Sequence, residues 1–126
     1  MTIIRGDSAT WRIPIFDEDN QPYNLTGATV TVTYKARVSD PDSAALFRHW
    51  IAIDGSGSVT SARGMALETT VAAGVIIETL TPAESDAFYP MKYHWDLEVR
   101  KGGEVRTVLA DQEEQVVADI GRTSPI

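Results

Sequence analysis

The sequence predicts an all-β fold: an antiparallel sandwich of about seven or eight strands with one short helix. First, the stretch from Tyr93 to Arg100 alternates large apolar and polar residues without a break. Successive side chains of a strand point to opposite faces, so such a stretch is typical of a half-buried strand. Second, similar short runs recur between turn residues, which favours a sandwich over alternating strands and helices. We expect one domain, residues 1–126, with short N- and C-terminal arms.

The stretch from Tyr93 to Arg100 is predicted to contribute half of the core. Its apolar row, expected to be buried, consists of Tyr93, Trp95, Leu97 and Val99. Its polar row, expected to face solvent, consists of His94, Asp96, Glu98 and Arg100. Gly102 and Gly103 follow, and they supply the positive φ angles that a tight hairpin turn requires.

Two strands are predicted in the first third of the chain. The first covers Thr10 to Phe16, and Pro14 within it indicates an edge strand or a bulge, because proline cannot donate to the ladder. The acidic turn from Asp17 to Pro22 follows, and the segment from Tyr23 to Gly27 makes a short corner. The second strand, Ala28 to Val38, alternates apolar residues with threonines and a lysine.

The remaining strands are predicted with less regular patterns. They cover residues 46–53, 59–70, 74–80, 105–110 and 115–120. Within the second of these, Arg63-Gly64-Met65 indicates a loop or bulge. In the third, Glu78 shares a face with Ile76 and Leu80.

One short helix is predicted near residues 82–88. Thr81 and Glu84 have the spacing of a capping box, and Pro82 suits the first helical position. Tyr89-Pro90 is expected to end the helix, since the residue before a proline avoids the α region.

Composition and charge exclude several functional classes. The net charge of −7 argues against nucleic-acid binding, which needs a surplus of Lys and Arg on one face. The absence of cysteine excludes disulfides, a thiol nucleophile and thiolate metal sites. We expect no membrane insertion, since no apolar run is long enough and the N-terminus lacks the pattern of a signal peptide. The protein is therefore predicted to be soluble and synthesised in the cytoplasm.

Short motifs give no chemical site. Arg5-Gly6-Asp7 matches an integrin-recognition tripeptide but is interpreted as a turn. The acidic loops Asp17-Glu18-Asp19 and Asp40-Pro41-Asp42 lack the ligand spacing of a calcium loop and are interpreted as solvated turns. The segment from Asp54 to Ser58 lacks the carboxylates of a calcium loop, and its Gly-Ser repeat lacks the lysine of a phosphate loop.

The two histidines give neither a zinc nor a hydrolase signature. His94 lies on the outward row of its strand, and the burial of His49 is left open. Metal-ligand spacing is missing, and the chain has no Gly-x-Ser-x-Gly nucleophile elbow. We therefore predict no catalytic, cofactor-binding or metal-binding residues, no cofactor and no enzymatic activity.

The three tryptophans divide into two groups. Trp11 and Trp95 fall on apolar rows and are expected in the core, whereas Trp50 could contact a ligand at the surface. A carbohydrate- or receptor-binding module is thus the alternative function, with Trp50 and the loops at residues 17–22 and 39–45 as candidates.

The order of features resembles the N-terminal domain of the baseplate upper proteins of tailed bacteriophages. The resemblance covers nearly the whole chain and rests on these segments: Ile4 to Ser8, Asp17 to Pro22, Leu25 to Val30, Tyr93 to Arg106, and Gln115 to Thr123. The Leu25-Thr26-Gly27-Ala28-Thr29 corner after an acidic turn is the more specific part. One departure is that the chain ends at Ile126, where baseplate upper proteins continue into receptor-binding parts.

The resemblance implies an immunoglobulin-like sandwich that docks into a virion. We therefore expect a structural component of a phage or phage-like particle, in the baseplate, tail, neck or capsid, present in several copies. The expected partners are other phage structural proteins and copies of itself. The segments Met1 to Ser8 and beyond Ile120 are the predicted contact arms.

Overall fold

The computed structural model describes residues 2–4, 6–36, 47–86 and 92–117. The strands are β1 Thr2–Ile4, β2 Ala9–Pro14, β3 Ala28–Lys35, β4 Phe47–Ile53, β5 Val59–Arg63, β6 Met65–Leu67, β7 Val75–Leu80, β8 Lys92–Lys101 and β9 Glu104–Val117. A 3-10 turn covers Val71–Ala73, and the helix α1 covers Pro82–Asp86. The described residues thus hold more strands than the sequence predicts, because the three-residue strands β1 and β6 carry almost no periodic signal.

The strands form two sheets that pack as an antiparallel, immunoglobulin-like β-sandwich. The larger sheet has the order β1-β9-β8-β3-β4-β5, and the smaller one has the order β2-β7-β6. Among the described pairs, β1 with β9 is parallel and the others are antiparallel. From β9 to β5 the larger sheet follows the G-F-C-C′-C″ order of variable-type immunoglobulin domains, and the smaller sheet follows their B-E-D order. The predicted fold class is confirmed.

The core lies between the sheets and consists mainly of the predicted alternating rows. On β8 all four apolar residues of the row are at most 5% exposed: Tyr93, Trp95, Leu97 and Val99. Val30 and Val32 of β3 are fully buried beside them, because β3 pairs with β8 in the register Val30 to Val99. Trp11 is half-buried, and its ring centroid lies 6.1 Å from that of Trp95, so both tryptophans pack as predicted.

The hairpin from β8 to β9 confirms the turn and corrects the strand that follows it. Gly102 and Gly103 have φ angles of 59° and 81°, as the prediction requires. The two strands predicted at 105–110 and 115–120 are wrong as separate elements, because β9 runs without interruption over Glu104–Val117. The register of its pairing with β8 shifts on both sides of Leu97. At these irregularities β9 contains extra residues, but the strand does not end.

The N-terminal segment is part of the sheet, which corrects its predicted role as an arm. The strand β1 pairs with the end of β9, and Ile3 is 1% exposed within the core. Ile3 is therefore not available to a neighbouring protein, whereas Ile4 on the opposite face is 42% exposed. The segment beyond Ile120 lies outside the described residues.

Two further predictions about strand irregularities are confirmed. The strand β2, which contains Pro14, lies at an edge of the smaller sheet. Gly64, with a φ of 71°, separates β5 of the larger sheet from β6 of the smaller one. The chain thus changes sheets at the position where the sequence indicates a loop or bulge.

The helix α1 begins with the predicted capping box. The backbone N–H of Thr81 donates to Glu84 Oε1 at 2.9 Å, and the N–H of Glu84 donates to Thr81 Oγ1 at 3.1 Å. The helix covers Pro82–Asp86, and the rest of the predicted range, residues 87–88, lies outside the described part of the chain. This cap fixes the direction of the Glu84 side chain.

We predict that Val30→Ala lowers the free energy of unfolding by roughly 2 kcal/mol, because it removes buried methyl groups and leaves a cavity. Val105→Ala is the matched control, since Val105 is 53% exposed on a strand of the same sheet. Urea unfolding monitored by tryptophan fluorescence measures both changes. Equal destabilisation by the two substitutions would contradict the assignment of the β3 row to the core.

Candidate functional site

Four polar side chains meet between the two sheets, and we call them the buried cluster: Tyr34, His49, Glu78 and Glu84. His49 and Glu78 are both 0% exposed. His49 Nδ1 lies 2.8 Å from Glu78 Oε2, and His49 Nε2 lies 2.5 Å from Glu84 Oε2. The hydroxyl of Tyr34 donates to Glu78 Oε2. The side chains form a continuous hydrogen-bonded chain from the larger sheet to α1.

Each member reaches the cluster through the local pattern of its element. Tyr34 and His49 lie on the core-facing rows of the neighbouring strands β3 and β4. Glu78 belongs to the core-facing row of β7, and Glu84 is directed by the cap of α1. Arg63 Nη2 lies 3.9 Å from Glu84 Oε2, and the side chain of Arg63 is exposed to solvent.

Gly64 makes room for the imidazole. A Cβ atom at this position would lie 2.2 Å from His49 Nδ1, and the backbone φ of 71° disfavours other residues as well. The carbonyl of Gly64 accepts the backbone N–H of Thr79 at 2.8 Å. The crossing from β5 to β6 is thus packed directly on the ring of His49.

The geometry requires an extra proton in the buried cluster. A neutral imidazole has one N–H, yet both ring nitrogens of His49 face carboxylate oxygens. Either the ring is an imidazolium or one carboxyl is protonated. Burial opposes a charge on His49, but the hydrogen bonds to Glu78 and Glu84 outweigh it and raise the pKa of the ring.

The two carboxyl groups of the cluster shift in opposite directions. Burial raises the pKa of Glu78, and its bonds to His49 and Tyr34 offset only part of this effect. Burial also acts to raise the pKa of Glu84, but the backbone N–H of Thr81 and the ring of His49 lower it overall. The shifts therefore favour the charged form of Glu84 and the protonated forms of Glu78 and His49.

The buried cluster is a structural clasp between the sheets. Both ring nitrogens of His49 lie within hydrogen-bond distance of carboxylate oxygens, and the backbone of Gly64 packs against the ring. Neither nitrogen is therefore directed at a substrate. Within residues 2–4, 6–36, 47–86 and 92–117, no group of three or more His, Asp and Glu side chains is arranged to hold a metal ion. Removing one partner of such a buried pair typically costs about 3–5 kcal/mol.

The solvent face of the larger sheet carries a second feature, which we call the threonine groove. Its cavity volume is about 400 Å³, and its lining consists of Thr29, Thr31, Thr33, Arg48, Asp96, Glu98, Arg100 and Thr107. The threonines of β3 form the floor. Thr33 lies between Arg48 and Asp96 in register, so longer side chains of β4 and β8 flank the short ones.

Sequence reasoning found part of this arrangement. It left the burial of His49 open and placed Glu78 in an apolar row with Ile76 and Leu80, but did not connect the two. A carboxylate in the core-facing row of a strand signals a buried partner, because an isolated buried charge is too costly. The polar row of β8 faces solvent as predicted, and three of its members, Asp96, Glu98 and Arg100, line the threonine groove.

The short motifs fold as turns where the structure describes them. Gly6 is buried in a turn and donates to Ser85 Oγ at 3.0 Å, and Arg5 lies outside the described residues. Asp17 Oδ1 accepts the backbone N–H groups of Asp19 and Gln21, while residues 40–42 are not among those described. Asp54 Oδ1 similarly accepts the hydroxyl of Ser56 and the N–H groups of Ser56 and Ser58, and these hydrogen bonds, the hydroxyl foremost, lower the pKa of the Asp54 carboxyl.

Trp50 is half-buried on the solvent face of β4. Its indole N–H donates to Ser61 Oγ of β5 at 3.0 Å, which holds the ring towards that strand. Of the loops proposed with it for sugar binding, residues 17–22 form the turn closed by Asp17, and residues 39–45 lie outside the described part of the chain.

Comparisons with known proteins give little beyond the fold. No family model matches the chain, and no curated protein matches it. Among solved structures, it is similar to Tim-4 in complex with phosphatidylserine, at 13% identity and a TM-score of 0.34, with 94% of this chain and 98% of that chain covered. Likeness at this level assigns neither a family nor a ligand. None of the described helices is long and apolar enough to cross a membrane.

We predict that stability falls as the pH rises above 6.5, the ordinary pKa of histidine. The raised pKa values of His49 and Glu78 mean that the folded cluster binds more protons than the unfolded chain, so raising the pH favours unfolding. Each proton contributes at most about 1.4 kcal/mol per pH unit. On the acid side, the lowered pKa of Glu84 removes its contribution as the pH falls below 4.5.

The double variant His49→Gln/Glu78→Gln separates this effect from other titrations. Urea unfolding at a series of pH values above 6.5 should show that the free energy of unfolding of the double variant changes much less with pH than that of the unaltered protein. His94→Gln is the matched control, since it replaces the second histidine of the chain, on the solvent face of β8. A slope that disappears with His94→Gln and persists in the double variant would rule out the cluster as its source.

We predict that Gly64→Ala lowers the free energy of unfolding by about 3 kcal/mol, through backbone strain and overlap with His49. Gly55→Ala is the control, because a Cβ atom at Gly55 has nothing within 4 Å and no positive φ is recorded there. Thermal unfolding compares the two. A Gly64→Ala protein as stable as the control would show that the ring is not held in this position.

Proposed function

We propose that this chain is a non-enzymatic structural component of a tailed-phage or phage-like particle, assembled in multiple copies. The observation that carries the proposal is the open flank of the larger sheet at β5. This strand pairs with β4 on one side, and no described strand pairs with its other side. All five residues of Val59–Arg63 are exposed.

The β5 edge suits the addition of a strand from another protein. An unpaired edge presents a row of backbone donors and acceptors, and proteins that stay monomeric usually block it with lysine, proline or a covering segment. Here the sequence is Val-Thr-Ser-Ala-Arg, with a single charge at its end, and Val59 is 47% exposed. An extended segment of a particle protein can dock there through main-chain hydrogen bonds.

The sequence resemblance supplies the kind of particle. Its most specific segment, the corner from Leu25 to Thr29, is a structural turn in which Leu25 is fully buried and Ala28 N–H donates to the carbonyl of Leu25 at 3.0 Å. Gly27 N–H donates to the carbonyl of Asp54, so the corner joins two loops at one end of the sandwich. The segment therefore has a role in the scaffold, which supports a shared architecture with the baseplate domain that it resembles.

A structural role also suits the chemistry of the interior. The titratable groups that converge in the core serve as a clasp, with His49 fully enclosed. The net charge of −7 disfavours nucleic acid as a partner and keeps copies of the domain soluble before assembly. We place the chain in the virion after synthesis in the host cytoplasm, with other structural proteins and copies of itself as partners.

We predict that mass spectrometry finds this chain in phage or phage-like particles purified from the cells that encode it. Val59→Lys should reduce its incorporation at least fivefold, because a lysine on an edge strand opposes strand addition. Ala72→Lys is the control: it adds the same charge at an exposed position of the 3-10 turn.

Two results would count against the proposal. If purified particles contain no copy of the chain, the virion role is wrong. If particles contain it and Val59→Lys is incorporated as well as Ala72→Lys, the β5 edge is not the contact. Circular dichroism of both variants verifies that incorporation, not folding, has changed.

A further inference from the structure

We propose that the threonine groove is a binding site for a neutral, hydroxyl-rich glycan chain. The groove lies on the solvent face of the larger sheet and is separate from the β5 edge, so this activity is additional to assembly. Its floor and walls are polar, its volume is about 400 Å³, and ligand pockets generally fall at about 300–1,000 Å³.

The shape of the groove follows from the order of side chains across three strands. The central strand β3 contributes short threonines, whereas β4 contributes Arg48 and β8 contributes Glu98 and Arg100. The floor of the trough therefore follows β3, and from Thr29 to Thr33 it extends for about 14 Å at about 3.4 Å per residue. A trough of this form accommodates an extended chain better than a compact ligand.

The charges of the groove favour a neutral ligand. Among the lining residues, two guanidinium groups, Arg48 and Arg100, match two carboxylates, Asp96 and Glu98, although the whole chain carries −7. Lys35 Nζ lies 3.8 Å from Asp96 Oδ2, so cations and anions also alternate beside the groove. Arg100 Nε donates to Glu98 Oε1 at 2.8 Å, which holds opposite charges side by side. A ligand of either charge would meet repulsion as well as attraction along the trough.

The hydrogen-bonding capacity favours hydroxyl groups. A threonine hydroxyl both donates and accepts, a carboxylate accepts and a guanidinium donates. Thr33 lies between Arg48 and Asp96 in register, so a donor and an acceptor flank the threonine hydroxyls on the floor. A sugar ring carries several hydroxyl groups that both donate and accept hydrogen bonds, so it can bind donors and acceptors of the groove at the same time.

Other extended ligands fit the groove less well. A peptide strand binds through the backbone of a sheet edge, but β3 is paired on both sides, with β4 and with β8. A lipid tail requires an apolar lining, and the lining residues of the groove are threonine or charged. The groove differs from the site that the sequence suggests, since the N–H of Trp50 is bonded to Ser61 on the far side of β4.

The test is an array of neutral linear oligosaccharides printed beside sialylated and sulfated ones, followed by calorimetric titration with the neutral oligosaccharide that binds best. We expect neutral chains to be preferred. Thr31→Val should weaken their binding about fivefold, as the loss of one hydrogen bond implies. The triple variant Thr29→Val/Thr31→Val/Thr33→Val should abolish binding.

Thr70→Val is the matched control, since Thr70 is exposed and its side chain makes no capping hydrogen bond. Its binding should equal that of the unaltered protein. If the triple variant fails to fold by circular dichroism, Thr31→Val and Glu98→Gln decide the question singly, and both should weaken binding.

Three results would overturn the proposal: no neutral oligosaccharide is bound, acidic chains are preferred, or the groove variants bind as well as Thr70→Val. These outcomes leave the assembly role untouched, because a particle protein need not bind sugar. Conversely, a chain that binds neutral glycan through Thr31 but is missing from particles would refute only the virion role.

Discussion

Several elements of the structure serve to neutralise or pair the buried carboxyl group of Glu78. A carboxyl with no exposed surface in an apolar core must be neutralised or paired, since an isolated buried charge is prohibitively costly. Tyr34 and His49 from the opposite sheet provide the partners, and Glu84 completes the chain of bonds from α1. Gly64 at the crossing between the sheets has no side chain, and this leaves space for the ring.

The same alternation that builds the core also creates the surface features. Each inward-facing residue on β3 and β4 has an outward-facing neighbour, so the strands that carry Tyr34 and His49 also carry the floor and one wall of the threonine groove. The core rows fix the spacing of these outward side chains within the sheet. A strand that is paired on both sides, as β3 is, can therefore hold a polar groove on the solvent face of its sheet without a loop to shape it.

The two proposed interaction surfaces use different physical properties of one sheet. The β5 edge offers unpaired backbone groups, which recognise an extended chain of almost any sequence. The groove offers side-chain hydroxyls and balanced charges above a strand whose backbone is already paired. Assembly and ligand binding can thus operate on the same domain without competing for residues. Neither surface needs a cofactor or a proton-transfer group.

Local sequence determined the strands that alternate strongly, the capping box at Thr81 and the tight turn at Gly102-Gly103, because each depends on neighbours in the chain. It did not determine that β1 enters the sheet or that β9 continues through a polar run, since both depend on pairing with distant segments. The sequence separates His49 from Glu78 by 29 positions, and only the packing of two sheets brings them together. The division of polar residues between clasp and groove was likewise decided by the tertiary structure, because it depends on which face of each strand meets the other sheet.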